Sequence, residues 1–299
     1  MSYAKTYGAQ THLLNAYIVD IEIDLSRGLH SFSIIGLPDQ ATEEAKDRVS
    51  AAIKNSGFES PKSSNQKITI SLAPAEIKKE GAVLDLGMAL SYLLASGEMV
   101  FDPNDKVFLG ELSLDGKVRK TKGVLALTRK ARRSGFKQIF VPKENAPEAG
   151  LVDGIIVYGV ESLKECVDHL VEDNVKRGKS TSKNIIKKQP PTNIEDYRSR
   201  VEESDTDFSY IKGQEGAKRA LEIAGAGGHN VALYGPPGTG KSMLARAFRG
   251  ILPSPSFEEM LEITEIHSIA GTLNEALLVD RPFRSPHHTS SYVSIVGGG

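Results

Sequence analysis

The sequence lacks three features that would each place it in a different class of protein. It has one cysteine, Cys166, which excludes an internal disulfide and a cysteine zinc site, and we therefore expect a reducing, cytoplasmic location. No stretch approaches the ~18 to 20 apolar residues of a membrane span. The N-terminus, MSYAKTYGAQ, does not have the basic-then-apolar layout of a secretory signal.

The sequence also has no excess of positive or negative charge. The chain has 37 basic and 38 acidic residues, which gives a formal net charge of −1. A protein that holds DNA as a monomer usually has a basic surface, and this total gives no sign of one.

The chain has 299 residues, which is about the length of two domains. Its sequence falls into three zones. Residues 1–172 alternate strand-like and helix-like segments. The clearest strand, residues 15–24, alternates apolar with acidic side chains, which is the period of a half-buried strand. Further strands are predicted at residues 31–35, 67–72, 106–112, 138–142 and 154–159. Helices are predicted after the capping residue Asp39 and at residues 83–95, 122–134 and 161–171. This zone is predicted to be an α/β domain.

Residues 173–205 are polar, contain two adjacent prolines and have almost no apolar periodicity, which is typical of an interdomain linker. The first half of this segment has basic residues and no acid between residues 176 and 188. A solvated linker is the interpretation we favour, and a tether that touches nucleic acid is the alternative. The basic residues are Lys176, Arg177, Lys179, Lys183, Lys187 and Lys188.

Residues 206–299 begin a second α/β unit. A helix is predicted in GQEGAKRALEIA, and a short buried strand, residues 230–234, leads into a glycine-rich loop. The loop fits the pattern G-x-x-x-x-G-K-[S/T], in which glycines let successive N–H groups point at phosphate oxygens. Lysine brings charge to the β/γ-phosphates of ATP, and the serine hydroxyl is suited to Mg²⁺. The predicted binding residues are Gly235, Pro236, Pro237, Gly238, Thr239, Gly240, Lys241 and Ser242, with Ser242 also the predicted metal ligand. A plain strand-to-helix turn is the alternative.

Several long segments resemble one family. GQEGAKRALEIAGAGGHNVALYGPPGTGKSMLARAF, LPSPSFEEMLEITEIHSIAG and RPFRSPHHTSSY are similar to the magnesium-chelatase-like branch of AAA+ ATPases, and within it to the ComM/YifB proteins. GLPDQATEEAKDRVSAAIKNSGFESP, ITISLAPAEIKKEGAVLDL and FLGELSLDGKVRKTKGVLAL are similar to the first domain of that family. The resemblance implies a Lon-protease-like α/β domain followed by the N-terminal part of an AAA+ P-loop domain. It also implies a homo-hexameric ring that acts on DNA as a branch-migration helicase in natural transformation.

The resemblance also implies that ATP hydrolysis requires residues other than the glycine-rich loop. An AAA+ site uses an apolar strand that ends in Asp-Glu, a polar sensor and an arginine from the neighbouring subunit. The candidate ALLVD, residues 276–280, ends at Asp280 and is followed by Arg281 instead of Glu, so we interpret it as a hairpin or loop. In the family the acidic strand follows a glycine-rich loop similar to residues 296–299. We therefore expect no catalytic residues within this chain and no ATP hydrolysis by the chain alone.

A peptidase is the enzymatic alternative for the first domain, because Lon proteases use a Ser-Lys pair. In KKEGAVLDL, which supplies Lys79, Glu80 and Gly81, Val83 takes the place expected for serine, and Leu125 takes that of lysine. With both replaced by apolar residues, covalent catalysis has no nucleophile and no base, and we predict no protease activity.

His287 and His288, near Arg284, leave three interpretations open. They could contact nucleotide, a neighbouring subunit or DNA, they could bind a metal, or they could have a surface or packing role. Adjacent histidines cannot both face one ion from a regular strand, which disfavours the metal.

Three functions therefore remain. The sequence favours the ATP-binding part of a DNA-remodelling ring. The alternatives are a chelatase-type motor subunit for metal insertion into a porphyrin, and a non-catalytic nucleotide-binding module. A chelatase motor, as the family is known, lacks the long first domain.

Overall fold

The computed structural model describes residues 2–63, 65–175, 186–198, 207–287, 289–293 and 297. Its contacts divide the chain into two compact units. Unit 1 comprises Met1–Asn193 and Thr264–Leu277, and unit 2 comprises Ile194–Ile263 and Leu278–Gly299. Residues 176–185 and 199–205 of the predicted linker lie outside the described residues, and with them Lys176, Arg177, Lys179 and Lys183. The sequence patterns did not indicate that Thr264–Leu277 would group with the first unit.

Unit 1 is a mixed α/β structure, as predicted. Its described strands are β1 (Tyr3–His12), β2 (Asn15–Arg27), β3 (Ser31–Ile35), β4 (Gln66–Ala73), β5 (Lys106–Phe108), β6 (Glu111–Leu112), β7 (Val118–Arg119), β8 (Gln138–Pro142) and β9 (Ile156–Val160). Its helices before the linker are α1 (Gln40–Glu43), α2 (Ala45–Asn55), α3 (Asp85–Ser96), α4 (Val124–Arg133), α5 (Ala146–Ala149) and α6 (Leu163–Val175). The Asp39 side chain caps α1 by accepting from Thr42 N at 2.7 Å, as the sequence predicted.

The strands form two larger sheets and one small hairpin. The first sheet has the order β1-β2-β4-β3, with β3 parallel to β4 and the other pairs antiparallel. The second, β5-β8-β9, is parallel throughout, and β6 pairs with β7. Parallel neighbours joined by helices are the arrangement that alternating strand and helix patterns predict.

One strand prediction in unit 1 needs correction, and one strand was missed. The strand expected at residues 106–112 is broken after Phe108, because Gly110 leaves the sheet: its N–H donates to Val83 O, and its carbonyl accepts from Leu86 N. The strand β1 was not predicted. Its buried positions include Thr6 and Gly8, so its inward face lacks the apolar alternation that marked β2.

Small residues let α3 approach the first sheet closely. A Cβ on Gly8 would lie 2.6 Å from Leu84 Cδ2, and one on Gly87 would lie 2.5 Å from Ile21 Cδ1. The hydroxyls of Thr6 and Ser91 are hydrogen-bonded at 2.7 Å across this contact. The buried polar face of β1 is thus satisfied by α3, as buried hydroxyls require.

The segment Thr264–Leu277 is held to unit 1 by a buried carboxylate. Glu148, only 4% exposed, accepts hydrogen bonds from Leu125 N at 2.8 Å, from Asn145 Nδ2 at 3.1 Å and from the Ser268 hydroxyl. Gly123 N also donates to Ser268 O at 3.1 Å. We name Asn145, Glu148 and Ser268 the Glu148 cluster.

Replacing Ser268 with alanine is therefore expected to lower the free energy of unfolding of unit 1 by about 1–3 kcal/mol, because a buried acceptor loses a donor. Urea unfolding of the full chain measures the loss. The matched control is Thr272→Ala in the same segment, because Thr272 is exposed and its hydroxyl bonds His267. Equal stability of the two variants would contradict a structural role for the Glu148 cluster.

Unit 2 contains α7 (Glu195–Arg198), α8 (Glu215–Gly227), α9 (Lys241–Ile251) and the start of α10 (Phe257–Ala270), whose later residues belong to unit 1. The predicted strand at residues 230–234 is wrong: the segment is unpaired, and Val231 and Tyr234 are exposed. A strand needs a neighbour for its N–H and C=O groups, and the described part of unit 2 offers none. In the described residues, no helix has the length and apolar content needed to cross a membrane.

Candidate functional site

The glycine-rich loop of unit 2 is a turn that leads directly into α9. Gly238 and Gly240 have φ angles of +81° and +83°, a left-handed conformation that a residue with a Cβ rarely adopts. Gly240 is also the N-cap of α9, so the backbone turns and starts the helix within a few residues. The left-handed conformations thus explain why glycine stands at positions 238 and 240 of this turn.

The loop presents backbone donors that no described protein group accepts from. The N–H groups of Gly238, Thr239 and Gly240 donate to no acceptor within the described residues. The first N–H groups of α9 have no partner inside the helix, as at any helix start, and its first turn contains no acidic residue. Free donors and the positive end of the helix dipole together favour an anion at this position.

Lys241 adds a cation that lies across the loop. Its Nζ donates to Pro236 O at 2.6 Å and to Thr239 Oγ1 at 3.3 Å, and Thr239 Oγ1 donates to the same carbonyl at 3.0 Å. An ammonium has three donors, so two protein contacts leave it capacity for an anion. Ser242, next in the helix, is exposed. The predicted residues 235–242 therefore form one contiguous, solvent-facing loop and helix start.

A small apolar core supports the loop from behind. Leu244 and Ala247 of α9 are buried against Leu221 of α8 and Ile211. Of the predicted apolar face of α8, Leu221 and Ala224 are buried, whereas Ala220 is exposed.

Sequence reasoning missed one residue of the site, Gln214. It is the N-cap of α8, with a φ angle of +60°, and its Nε2 donates to Thr239 O at 3.5 Å. This contact joins the start of α8 to the loop. Its only sequence signal is its place before a predicted helix, since a glutamine has no special role in the loop motif.

The residues considered for hydrolysis and metal binding lie apart from regular elements. Asp280 is exposed in an irregular segment, as expected for a loop, and Arg281 donates to Pro253 O at 2.8 Å. The His287 ring bonds the Thr289 hydroxyl at 2.7 Å, whereas His288 lies outside the described residues. Among the residues that the structure describes, no group of three or more His, Cys, Asp or Glu side chains could hold a metal ion.

The positions of the Lon-type pair in unit 1 hold hydrocarbon side chains. Leu125 is fully buried, and Val83 packs against the apolar cluster beneath α4. Lys79 is also fully buried, and its Nζ donates to Pro74 O and, at 2.7 Å, to Ile77 O. Burial lowers the pKa of Lys79. Because its Nζ is enclosed by its own loop, Lys79 supports the fold and is not presented to a substrate.

Comparison with known proteins places both parts of the chain in the same group. Residues 21–145 match a family described as subunit ChlI of Mg-chelatase, and residues 207–299 match magnesium chelatase, subunit ChlI. An uncharacterized protein of Mycobacterium tuberculosis is 39% identical over 302 residues, which cover 100% of this chain and 56% of that protein.

Two further relatives carry family names. The uncharacterized protein YifB of Escherichia coli is 40% identical over 96% of this chain and 53% of its own length. The competence protein ComM of Haemophilus influenzae is 36% identical over 100% of this chain and 56% of its own length. The chain spans about half the length of the curated relatives that it matches. With both segments and the whole chain matched in this way, the protein belongs to the ComM/YifB family of magnesium-chelatase-like proteins.

Proposed function

We propose that this chain binds ATP with Mg²⁺ through residues 235–242 and is the nucleotide-binding part of a motor that acts on DNA. The observation that carries the proposal is the row of N–H groups from Gly238 to Gly240 that have no acceptor among the described residues, followed by a helix start without acidic residues. Such a donor-only surface fits the oxygens of a polyphosphate.

Different groups of the chain would bind different parts of Mg-ATP. The loop N–H groups would hold the phosphate oxygens, and Lys241 would exchange its contact with Pro236 O for the β/γ-phosphates. Ser242, exposed at the helix start, would offer its hydroxyl to Mg²⁺. Bound Mg²⁺ would neutralise part of the negative charge of the phosphates. Gln214 would keep the loop beside α8 through its bond to Thr239 O.

The DNA-directed part of the proposal comes from the family. One relative is named a competence protein, and the resemblance implies ATP-driven branch migration by a homo-hexameric ring in natural transformation. Because the chain covers about half of that relative, ring assembly and DNA remodelling are proposed for the whole protein. We propose a cytoplasmic location, in which the single thiol, Cys166, is a buried packing residue whose pKa is raised by burial.

A chelatase motor subunit is the second candidate, because both matching family descriptions name magnesium chelatase. The resemblance argues against it, since chelatase motors lack the long first domain. A non-catalytic nucleotide-binding module is the third candidate, because no acidic strand stands beside the loop in the described part of unit 2. ATPase assays with and without DNA, on this chain and on a longer one, separate the three.

Replacing Lys241 with alanine tests the nucleotide site. A hydrogen bond to a charged group is worth about 1.5–3 kcal/mol, so binding of a fluorescent ATP analogue should weaken roughly 10- to 150-fold. The circular dichroism spectrum should not change, because the polar contacts of the Lys241 side chain are to Pro236 and Thr239 of the exposed loop.

The matched control is Arg246→Ala, which removes an exposed cation from the same helix outside the loop. The control should bind the analogue like wild type. If the Lys241 variant binds as tightly as wild type, the assignment of the loop is wrong.

A further inference from the structure

A basic stretch in unit 1 is hidden by the near-zero net charge of the chain. Residues 117–143 contain ten lysines and arginines and no acid, so all 38 acidic residues lie elsewhere. The stretch runs from β7 through α4 to the end of β8. The ten residues are Lys117, Arg119, Lys120, Lys122, Arg129, Lys130, Arg132, Arg133, Lys137 and Lys143.

The fold gathers several of these cations on one side of α4. Val124, Leu127 and Ala131 are buried against the parallel sheet, which turns the basic side of the helix outward. Arg132 and Arg133 are exposed, and so is Lys137 at the entry to β8. We name Lys130, Arg132, Arg133 and Lys137 the α4 basic face.

The α4 basic face is not neutralised by the part of the protein that the structure describes. In the described chain, none of its four side chains forms a hydrogen bond or an ion pair. Other cations of the stretch do have partners. Arg129 pairs with Glu265 at 2.8 Å, Lys117 with Asp115 at 3.3 Å, Arg119 with Glu111 at 3.4 Å, and Lys143 with Glu161. Of the six cations left without an acidic partner among the described residues, four lie on this face.

Interaction with the helix dipole does not account for the positions of all the basic residues around α4. Lys130, Arg132 and Arg133 lie in the last turn of α4, where cations are favourable. Lys137 lies beyond the helix, and Lys122 lies just before it, where a cation is unfavourable. The excess extends past both ends of the helix, so a ligand of opposite charge is the better explanation.

We propose that the α4 basic face binds the phosphate backbone of duplex DNA without reading its sequence. The neighbouring aromatic ring, Phe136, packs edge to face against Tyr7 at 5.1 Å and is not available to stack on a base. Contacts by Lys and Arg alone position a protein on phosphates and carry no sequence information. The inference rests on the proposed DNA-directed function and adds the surface that would contact the DNA.

The test uses the full 299-residue chain and a fluorescein-labelled duplex of mixed sequence. Anisotropy titrations without ATP compare wild type, Arg132→Glu/Arg133→Glu and the control Lys54→Glu/Lys67→Glu, which makes the same charge change at exposed lysines elsewhere in unit 1. We expect weak binding by wild type and by the control. The affinity of the Arg132/Arg133 variant should be lower by roughly 10-fold or more at about 50 mM salt. The plot of log K against log salt should become shallower, with the magnitude of its slope reduced by about 2.

Further variants and probes make the outcome decisive. Arg132→Lys/Arg133→Lys should retain binding, since the charges remain, and thermal melts should show that every variant is folded. Equal loss in the Lys54/Lys67 control would overturn the inference in favour of net charge. Binding to phosphatidylserine vesicles but not to DNA would also overturn it and assign the face to a membrane surface. Absence of DNA binding with intact binding of the ATP analogue would overturn only this inference and leave the nucleotide proposal standing.

Discussion

Replacing Arg48 with alanine is expected to destabilise unit 1 by about 3–5 kcal/mol at pH 8, because the change leaves a buried carboxylate without its partner. Asp85 has no exposed side-chain surface and accepts from Arg48 Nε at 2.9 Å and from Nη2 at 3.2 Å. Arg48 Nη2 also donates to Ala41 O at 2.8 Å. One guanidinium therefore joins α1, α2 and the start of α3.

The size of this effect should depend on pH. Burial raises the pKa of Asp85 from its ordinary value of 3.8 to about 6, although Arg48 and Leu112 N favour the charged form. A carboxyl whose pKa is raised by folding binds its proton more tightly in the folded state. Its contribution to stability is therefore fully present below pH 3.8 and is lost as the pH rises through about 6. With a pKa of about 6, the carboxyl is already largely protonated at pH 5, and removal of Arg48 favours the neutral form further. The variant should therefore lose less stability at pH 5 than at pH 8.

Urea unfolding of wild type and variants at pH 5 and pH 8 checks both expectations. Arg48→Ala/Asp85→Asn should recover a large part of the loss, because no charge remains buried. Lys54→Ala is the matched control, since it removes an unpaired, exposed cation from the same helix. A loss in Arg48→Ala that is the same at both pH values would show that Asp85 does not titrate in this range.

The 299-residue chain is expected to bind ATP but to hydrolyse it no faster than the Lys241→Ala variant. The proposed binding depends on residues 235–242, which form the loop. Hydrolysis in this class also needs an acidic strand and an arginine from a neighbouring subunit, and the arginine alone is worth roughly 10³- to 10⁵-fold in rate. Asp280 does not supply the acid, because it is exposed in an irregular segment.

Phosphate release, measured with and without DNA, tests this expectation on the present chain and on a longer one that adds the acidic strand of the family. In the longer chain, hydrolysis, ring assembly and stimulation by DNA should appear together. Asp280→Asn is the control and should change nothing. Steady turnover by the 299-residue chain that is abolished by Lys241→Ala and lowered by Asp280→Asn would make Asp280 the missing acid.

Features that depend on neighbouring residues could be predicted from the sequence. The alternation of β2 indicates its buried face, and Asp39 stands at the correct distance to cap α1. The glycine-rich turn before α9 belongs to the same class, because the conformations of Gly238 and Gly240 are set within a few residues. In these cases local periodicity and backbone geometry carry the information.

Features that depend on distant residues were decided only by the tertiary structure. The inward face of β1 carries small and polar residues. It is buried because Ser91 of α3 bonds Thr6 and because Gly87 lets α3 approach the sheet closely. The pairs Arg48–Asp85, Ser268–Glu148 and Arg129–Glu265 join residues 37, 120 and 136 positions apart. Residues 230–234 have the composition of a strand but no partner in the described part of unit 2. Pairing and burial depend on which segments meet, and local periodicity does not contain that information.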